Sequence, residues 1–131
     1  MKIVNRLAFM KLPEGTVFSS GYAWRFSDIK IKMGNYGSND YIFDTIGAME
    51  VECNGSSELF DFLDASYNNG TSLNMDFNCS QRDGCFDGKA IYAIFEEEDI
   101  RNIISRLSKC LLPNAQGSLD APTNPPTQQG S

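Results

Sequence analysis

Histidine is absent from all 131 residues. That single omission removes the commonest general base and the commonest nitrogen ligand for metals. Ser-His-Asp and Cys-His catalysis are excluded, as are the His-containing zinc sites of hydrolases. Basic side chains are nearly missing from the middle of the chain. Residues 40–99 carry fourteen Asp/Glu against only Arg82 and Lys89, whereas residues 1–32 carry six Lys/Arg against two acids. With a net charge of −6, the chain has no basic footprint of the kind that binds a nucleic-acid backbone. Cys53, Cys79, Cys85 and Cys110 contain no C-x-x-C pair. Their irregular gaps do not match zinc-ribbon spacing, and free thiols are the expectation. No apolar run approaches the roughly 20 residues needed to span a bilayer. The opening MKIVNRLAFMKLPEG has no small-residue cleavage site, so it reads as structure and not as a signal peptide. The three N-x-[ST] sequons at Asn54, Asn69 and Asn78 therefore carry little meaning. There are no internal repeats.

A hydrophobic fraction of 41% is ordinary for a soluble globular chain, and its length suffices for one core without disulfides or metal. Residues 4–11 suggest a short helical turn, broken by Pro13-Glu14-Gly15 ahead of a strand at 16–18. Residues 26–33 alternate, with Ile29, Ile31 and Met33 on one face and Lys30 and Lys32 on the other. Tyr41-Ile42-Phe43 reads as a brief strand. Met49–Cys53 alternates again, which invites an antiparallel pairing of Lys30 and Lys32 with Glu50 and Glu52. A helix beginning at Ser56-Ser57 carries Leu59, Phe60, Phe62, Leu63 and Tyr67 and ends at Asn69-Gly70. Leu73, Met75 and Phe77 alternate as a strand. Ala90–Phe95 is almost continuously apolar, as in a strand buried on both faces. Glu96-Glu97-Glu98-Asp99 opens a last helix with Ile100, Ile103, Ile104, Leu107 and Leu111 at i, i+3, i+4, i+7 and i+11. The expected architecture is α+β, a mostly antiparallel sheet of about five strands with two main helices packed on it. Residues 1–112 form one globular domain in this reading. Residues 113–131, rich in Pro, Gln, Ser and Gly, form a disordered tail.

Chemistry-bearing residues are sparse. The loop from Asn78 to Gly88 holds two Asp-Gly pairs, yet neither register fits a calcium loop. Counting from Asp83, position 3 is Cys85 and position 12 is Ile94; counting from Asp76, the required glycine is Gln81. Both pairs read as turns. Trp24 and Arg25, in Tyr22-Ala23-Trp24-Arg25-Phe26, could stack on a planar ligand and pair with its phosphate or carboxylate. Arg82 and Asp83 would join them if the fold brings them near. Asp61, Asp64, Glu97 and Glu98 are candidates for an acidic, protein-directed face. Glu96–Asp99 also has a plain structural reading, since acids favour helix starts. Cysteine nucleophiles would need Arg82 or a helix N-terminus for activation. No catalytic residue, metal ligand or cofactor follows from the residues.

Two runs carry a resemblance. They are Phe9-Met10-Lys11-Leu12-Pro13-Glu14-Gly15-Thr16-Val17-Phe18-Ser19, and Met75-Asp76-Phe77 followed by Arg82-Asp83-Gly84-Cys85-Phe86-Asp87 and Tyr92–Ile100. In these the chain resembles a family of small accessory proteins encoded by tailed phages and prophages, over most of residues 1–112. The resemblance implies a cytoplasmic protein of an infected or lysogenic bacterium. It further implies a non-enzymatic binder that inhibits a host factor, such as a defence component. The partner would be a host protein met through the acidic surface, or a small anionic, nucleotide-like ligand that is sequestered. No membrane and no nucleic-acid backbone is expected as a partner, and a homo-oligomer is left open. The competing readings are a small enzyme using Asp83 with Arg82, and a virion morphogenesis component.

Overall fold

In the computed structural model, which describes residues 1–21 and 25–111, short alternating strings become eight strands interleaved with three helices. The order is β1 (Lys2–Asn5), α1 (Arg6–Met10), β2 (Val17–Ser20), β3 (Lys30–Tyr36), β4 (Asp40–Thr45), β5 (Ala48–Met49), α2 (Ser56–Asn69), β6 (Met75–Asp76), β7 (Ser80–Arg82), β8 (Ile91–Ile94) and α3 (Glu97–Leu111). Six strands make one sheet in the order β1-β8-β2-β3-β4-β7, with every pair antiparallel. β5 and β6 form a separate two-stranded ladder. The fold class is α+β, with six strands in the main sheet where about five were expected. The residue contacts divide the chain into two units, Lys2–Ile94 and Met1 with Phe95–Ser131. Trp24 and the tail at 113–131 lie outside the described residues.

The core is an aromatic cluster on one face of the sheet, closed by the single turn of α1. Asn5 caps that turn by accepting the Ala8 N–H at 2.8 Å, which delivers Phe9 onto the sheet. The Phe9 ring stacks on Tyr92 at 4.2 Å between centroids, and meets Phe18 at 4.6 Å and Tyr41 at 4.8 Å. Phe43 completes the cluster, and Val4, Met10, Leu12, Ala90 and Ile94 pack around it. Such ring pairs add roughly 0.5–1.5 kcal/mol each beyond the area they bury. β8 lies inside the sheet, between β1 and β2, and its neighbours Tyr92 and Ala93 are both buried although alternation points them to opposite faces. The nearly continuous apolar string at 90–95 has this cause.

β3 departs from its expected orientation. Lys32, assigned to the polar face, is 1% exposed, while Met33, assigned to the core face, is 37% exposed. The lysine is drawn in by the end of α1. Its Nζ donates to the carbonyls of Phe9 and Met10, both at 3.1 Å, and of Leu12 at 2.7 Å. It also lies 4.9 Å from the Phe9 ring centroid. The Phe9 carbonyl also accepts the Leu12 N–H at 3.0 Å and the Met10 carbonyl accepts Asn35 Nδ2 at 3.2 Å, so the ammonium joins these donors at the end of a short helix. Lys30 likewise lies over the Phe43 ring at 5.0 Å and donates to Ser20 Oγ. Desolvation lowers the Lys32 pKa from its ordinary value.

The expected pairing of Lys30 and Lys32 with Glu50 and Glu52 does not occur. Lys30 stands opposite Thr45 and Lys32 opposite Phe43, because β4 returns beside β3 through the loop Gly37-Ser38-Asn39. Gly37 supplies the left-handed φ of +71° that this short reversal requires. The register shifts between Lys32 and Gly34, where Gly34 takes φ +140° and a bulge absorbs one residue. β5 pairs with β6 instead, Met49 opposite Met75.

Helix α2 starts at Gly55 without a side-chain cap, but Glu58 accepts the Asn54 N–H. It ends at Gly70, φ +64°, whose N–H donates to the Ser66 carbonyl at 2.8 Å. In α3, Asp99 accepts the Glu96 N–H at 2.8 Å, and Arg101 Nε donates to Glu97 at 3.0 Å one turn back. Neither helix contains a fully buried residue.

Candidate functional site

The most chemically furnished place in the unit Lys2–Ile94 is a cleft of about 170 Å³ at the mouth of the aromatic cluster. It is lined by Arg6, Ser20, Gly21, Tyr41, Asp83, Cys85, Asp87, Ala90 and Tyr92. Arg6 enters it because α1 begins directly after β1 and turns its first residue over the sheet. Its Nη1 donates to Tyr92 Oη at 2.9 Å and to Asp83 Oδ2 at 3.3 Å, and its Nη2 donates to the Asn39 carbonyl at 2.6 Å. The guanidinium stands 5.5 Å from the Tyr41 ring centroid. Tyr41 Oη in turn donates to Asp83 Oδ1 at 3.3 Å. Burial works against the charge on Arg6, but Tyr92 and Asp83 outweigh it and hold its pKa above the ordinary value. Burial, reinforced by Tyr92 and Asp83, pushes the Tyr41 phenol far above its usual range.

Asp83 therefore closes a ring of charge and hydroxyl with Arg6 and Tyr41. Its carboxylate also accepts the Cys85 N–H at 3.3 Å, and its own N–H donates to the Tyr41 carbonyl at 3.0 Å. Asp87 accepts the Lys89 N–H at 2.9 Å. Both carboxylates shape the loop backbone in Asx-type turns.

Arg82 is drawn to the other side of its strand. Its Nε donates to Asp40 Oδ2 at 2.6 Å, and its guanidinium lies 4.7 Å from the Tyr36 ring and 5.9 Å from that of Phe86. Asp40, 1% exposed, also accepts the N–H groups of Tyr41 at 2.9 Å and Gly84 at 3.1 Å. Desolvation opposes its charge, yet the two N–H groups and Arg82 together hold its pKa below the ordinary carboxylate value. Phe86 takes a left-handed φ of +53°, a conformation costing a bulky side chain about 1–2 kcal/mol. The Asp40 anchor and the ring's place over Arg82 accompany that strain.

Of the four ligand candidates from sequence, Trp24 lies outside the described residues and Arg25 is exposed. Arg82 is committed to Asp40, and Asp83 to Arg6 and Tyr41. The residues that reasoning from sequence missed are Arg6, Tyr41, Tyr92 and Asp40. Tyr41 and Tyr92 read only as parts of apolar strands, Arg6 as part of a short helical turn and Asp40 as a loop residue, and the partners that Arg6 finds are 33 to 86 positions away. Among the described residues, no three His, Cys, Asp or Glu side chains stand together as a metal site.

Of the acidic candidates, Asp61 and Asp64 are exposed three residues apart on α2, and Glu97 and Glu98 are exposed in the first turn of α3. The two pairs belong to different units, and Glu97 is engaged by Arg101. The α2 pair sits in a longer segment with an unusual composition. Residues 46–78 hold six carboxylates and no Lys or Arg, and no residue among them is buried. Ile46, Met49, Phe60, Tyr67, Leu73, Met75 and Phe77 are all exposed there, Tyr67 at 88%. Phe60, Leu63 and Tyr67 recur at i, i+3 and i+7, on one side of α2.

No helix among the described residues is long and apolar enough to cross a membrane. No family model, no curated protein and no solved structure matches the chain.

Proposed function

We propose that this chain is a non-enzymatic binding protein. It docks a basic, partly apolar surface of another protein on residues 46–78 and inhibits that protein by occupying the surface. The observation that carries this reading is the segment itself: six carboxylates, no compensating base, and seven large apolar side chains left in solvent. Exposed apolar groups of this density mark interaction surfaces. The carboxylates around them select a cationic partner and reject an acidic one. The Met49–Met75 pair adds soft, adaptable contact area. Protein surfaces that bind nucleic acid are both basic and partly apolar, which makes them the partner class of matching chemistry. The resemblance to phage accessory proteins makes a host factor, for instance a defence component, the natural owner of that surface.

Sequestration of a nucleotide-like ligand is the weaker version. The cleft falls below the roughly 300–1,000 Å³ of ordinary ligand pockets, and its arginine already serves Asp83, Tyr92 and Asn39. Catalysis by Asp83 with Arg82 is weaker again, because each is paired with a different partner.

The test uses the full chain as bait in a bacterial lysate, beside two variants. One carries Glu58→Gln, Asp61→Asn, Asp64→Asn and Phe60→Ser; the other carries Glu97→Gln and Glu98→Gln. A retained protein that is lost with the first variant, kept with the second and displaced by added DNA or RNA supports the reading. Equal retention by the unmodified chain and the first variant overturns it.

A further inference from the structure

We propose that α3 is a self-association helix, and that the partner seated on its apolar face is α3 of a second copy running antiparallel. Ile100, Ile103, Ile104, Leu107 and Leu111 line one side of a 15-residue helix. None of them is buried, and Ile104, Leu107 and Leu111 are 59%, 61% and 79% exposed. A stripe of this kind is stable only when another apolar surface covers it. Residues 114–131 are mostly Pro, Gln, Ser, Gly, Thr and Asn, with one leucine and two alanines, and offer no matching apolar periodicity.

Two features of α3 select a copy of itself in antiparallel orientation. The first is register. A two-fold axis between Ile103 and Ile104 sets Ile100 against Leu107 of the partner and Ile103 against Ile104 of the partner, so the central apolar layers are self-complementary, as an isologous contact demands. The second is charge. The helix begins with Glu97, Glu98 and Asp99, after Glu96, and carries Arg106 and Lys109 toward its end. Antiparallel pairing lays the acidic start of each helix along the basic end of the other and opposes their dipoles, whereas parallel pairing stacks acid on acid. At 100° per residue, Asp99 and Arg106 fall on the same flank of the stripe, and the Arg106 side chain leans along that flank, its Nη1 3.5 Å from Cys110 Sγ. Asp99 also holds the Met1 ammonium at 2.7 Å, so Arg106 of a second copy would join an existing ion pair. Lys109 falls on the opposite side of the helix, away from the seam. The pairing is independent of the role proposed for residues 46–78, and it would give each assembly two such segments.

Sedimentation of the full chain over a range of micromolar concentrations tests this directly. The expected result is a reversible monomer–dimer equilibrium. Leu107→Asp should weaken it at least ~100-fold while the far-ultraviolet helix signal persists. Arg106→Glu should weaken it ~10-fold, and Lys109→Glu, the same charge change three residues on, by less than ~2-fold. A chain that stays monomeric at about 100 μM overturns the proposal. A dimer insensitive to Leu107→Asp, or equally weakened by Arg106→Glu and Lys109→Glu, overturns it as well.

Discussion

The sheet face under α1 and the segment 46–78 share a chain and little else. The first gathers Phe9, Phe18, Tyr41, Phe43 and Tyr92 with almost no solvent contact, and takes lysines and an arginine in among the rings. The second has four aromatics, of which Phe62 is half-buried and Phe60, Tyr67 and Phe77 stand in solvent beside carboxylates. The difference is the sign of the charged neighbours. A cation can lie over a ring face, where the quadrupole attracts it, and a lysine stem is itself apolar. A carboxylate has no such welcome and keeps its neighbourhood wet unless donors are supplied, as Arg82, Gly84 and Tyr41 supply them to Asp40. The basic residues of the N-terminal quarter thus help to make a core, while the acidic segment 46–78 stays outside it.

The widest gap between the regions should appear on truncating a ring in each. Phe9→Ala should cost about 3–5 kcal/mol in urea unfolding, and Phe60→Ala no more than about 0.5 kcal/mol. A comparable loss for Phe60 would show that segment 46–78 is part of the core after all. Next comes Lys32→Met, which keeps the stem and deletes the charge. Three carbonyls lose a charged donor, although those of Phe9 and Met10 keep Leu12 N–H and Asn35 Nδ2, and a loss of about 1–3 kcal/mol is expected in the same assay. A neutral result would mean that those carbonyls find water. The smallest effect concerns acid. The folded-state pKa of Asp40 is depressed, so its contribution to stability is fully present above the unfolded value near pH 4 and is lost as pH falls through the folded value. Asp40→Asn should lower stability at neutral pH and flatten the acid limb of a melting-temperature profile. An unchanged acid limb would assign that sensitivity to other carboxylates.

Reading the sequence located most elements to within a few residues, because periodicity and turn chemistry are local. β8 showed itself as an apolar string, α2 by its start and by Gly70, and α3 by its stripe. It erred on β3. Alternation told which residues share a face, but the choice of inner face went to the aromatic neighbours and the carbonyls of Phe9, Met10 and Leu12, all of which are distant in sequence. Asp83 and Arg82 drew notice as an Asp-Gly loop with a rare base. Their partners Arg6 and Asp40 did not, since nothing around them marks a buried ion pair.

By itself the sequence determined the α+β class, the excess of acid through the middle, and the chemistries closed off by the missing histidine. These depend on composition and on short-range periodicity. Tertiary structure alone decided that Lys32 goes inside and Met33 outside, that Arg6 closes a ring with Asp83, Tyr41 and Tyr92, and that no residue of 46–78 is fully buried. The reason is physical. A charge is buried or left in water according to the donors, acceptors and rings that the fold brings to it, and those come from residues far along the chain.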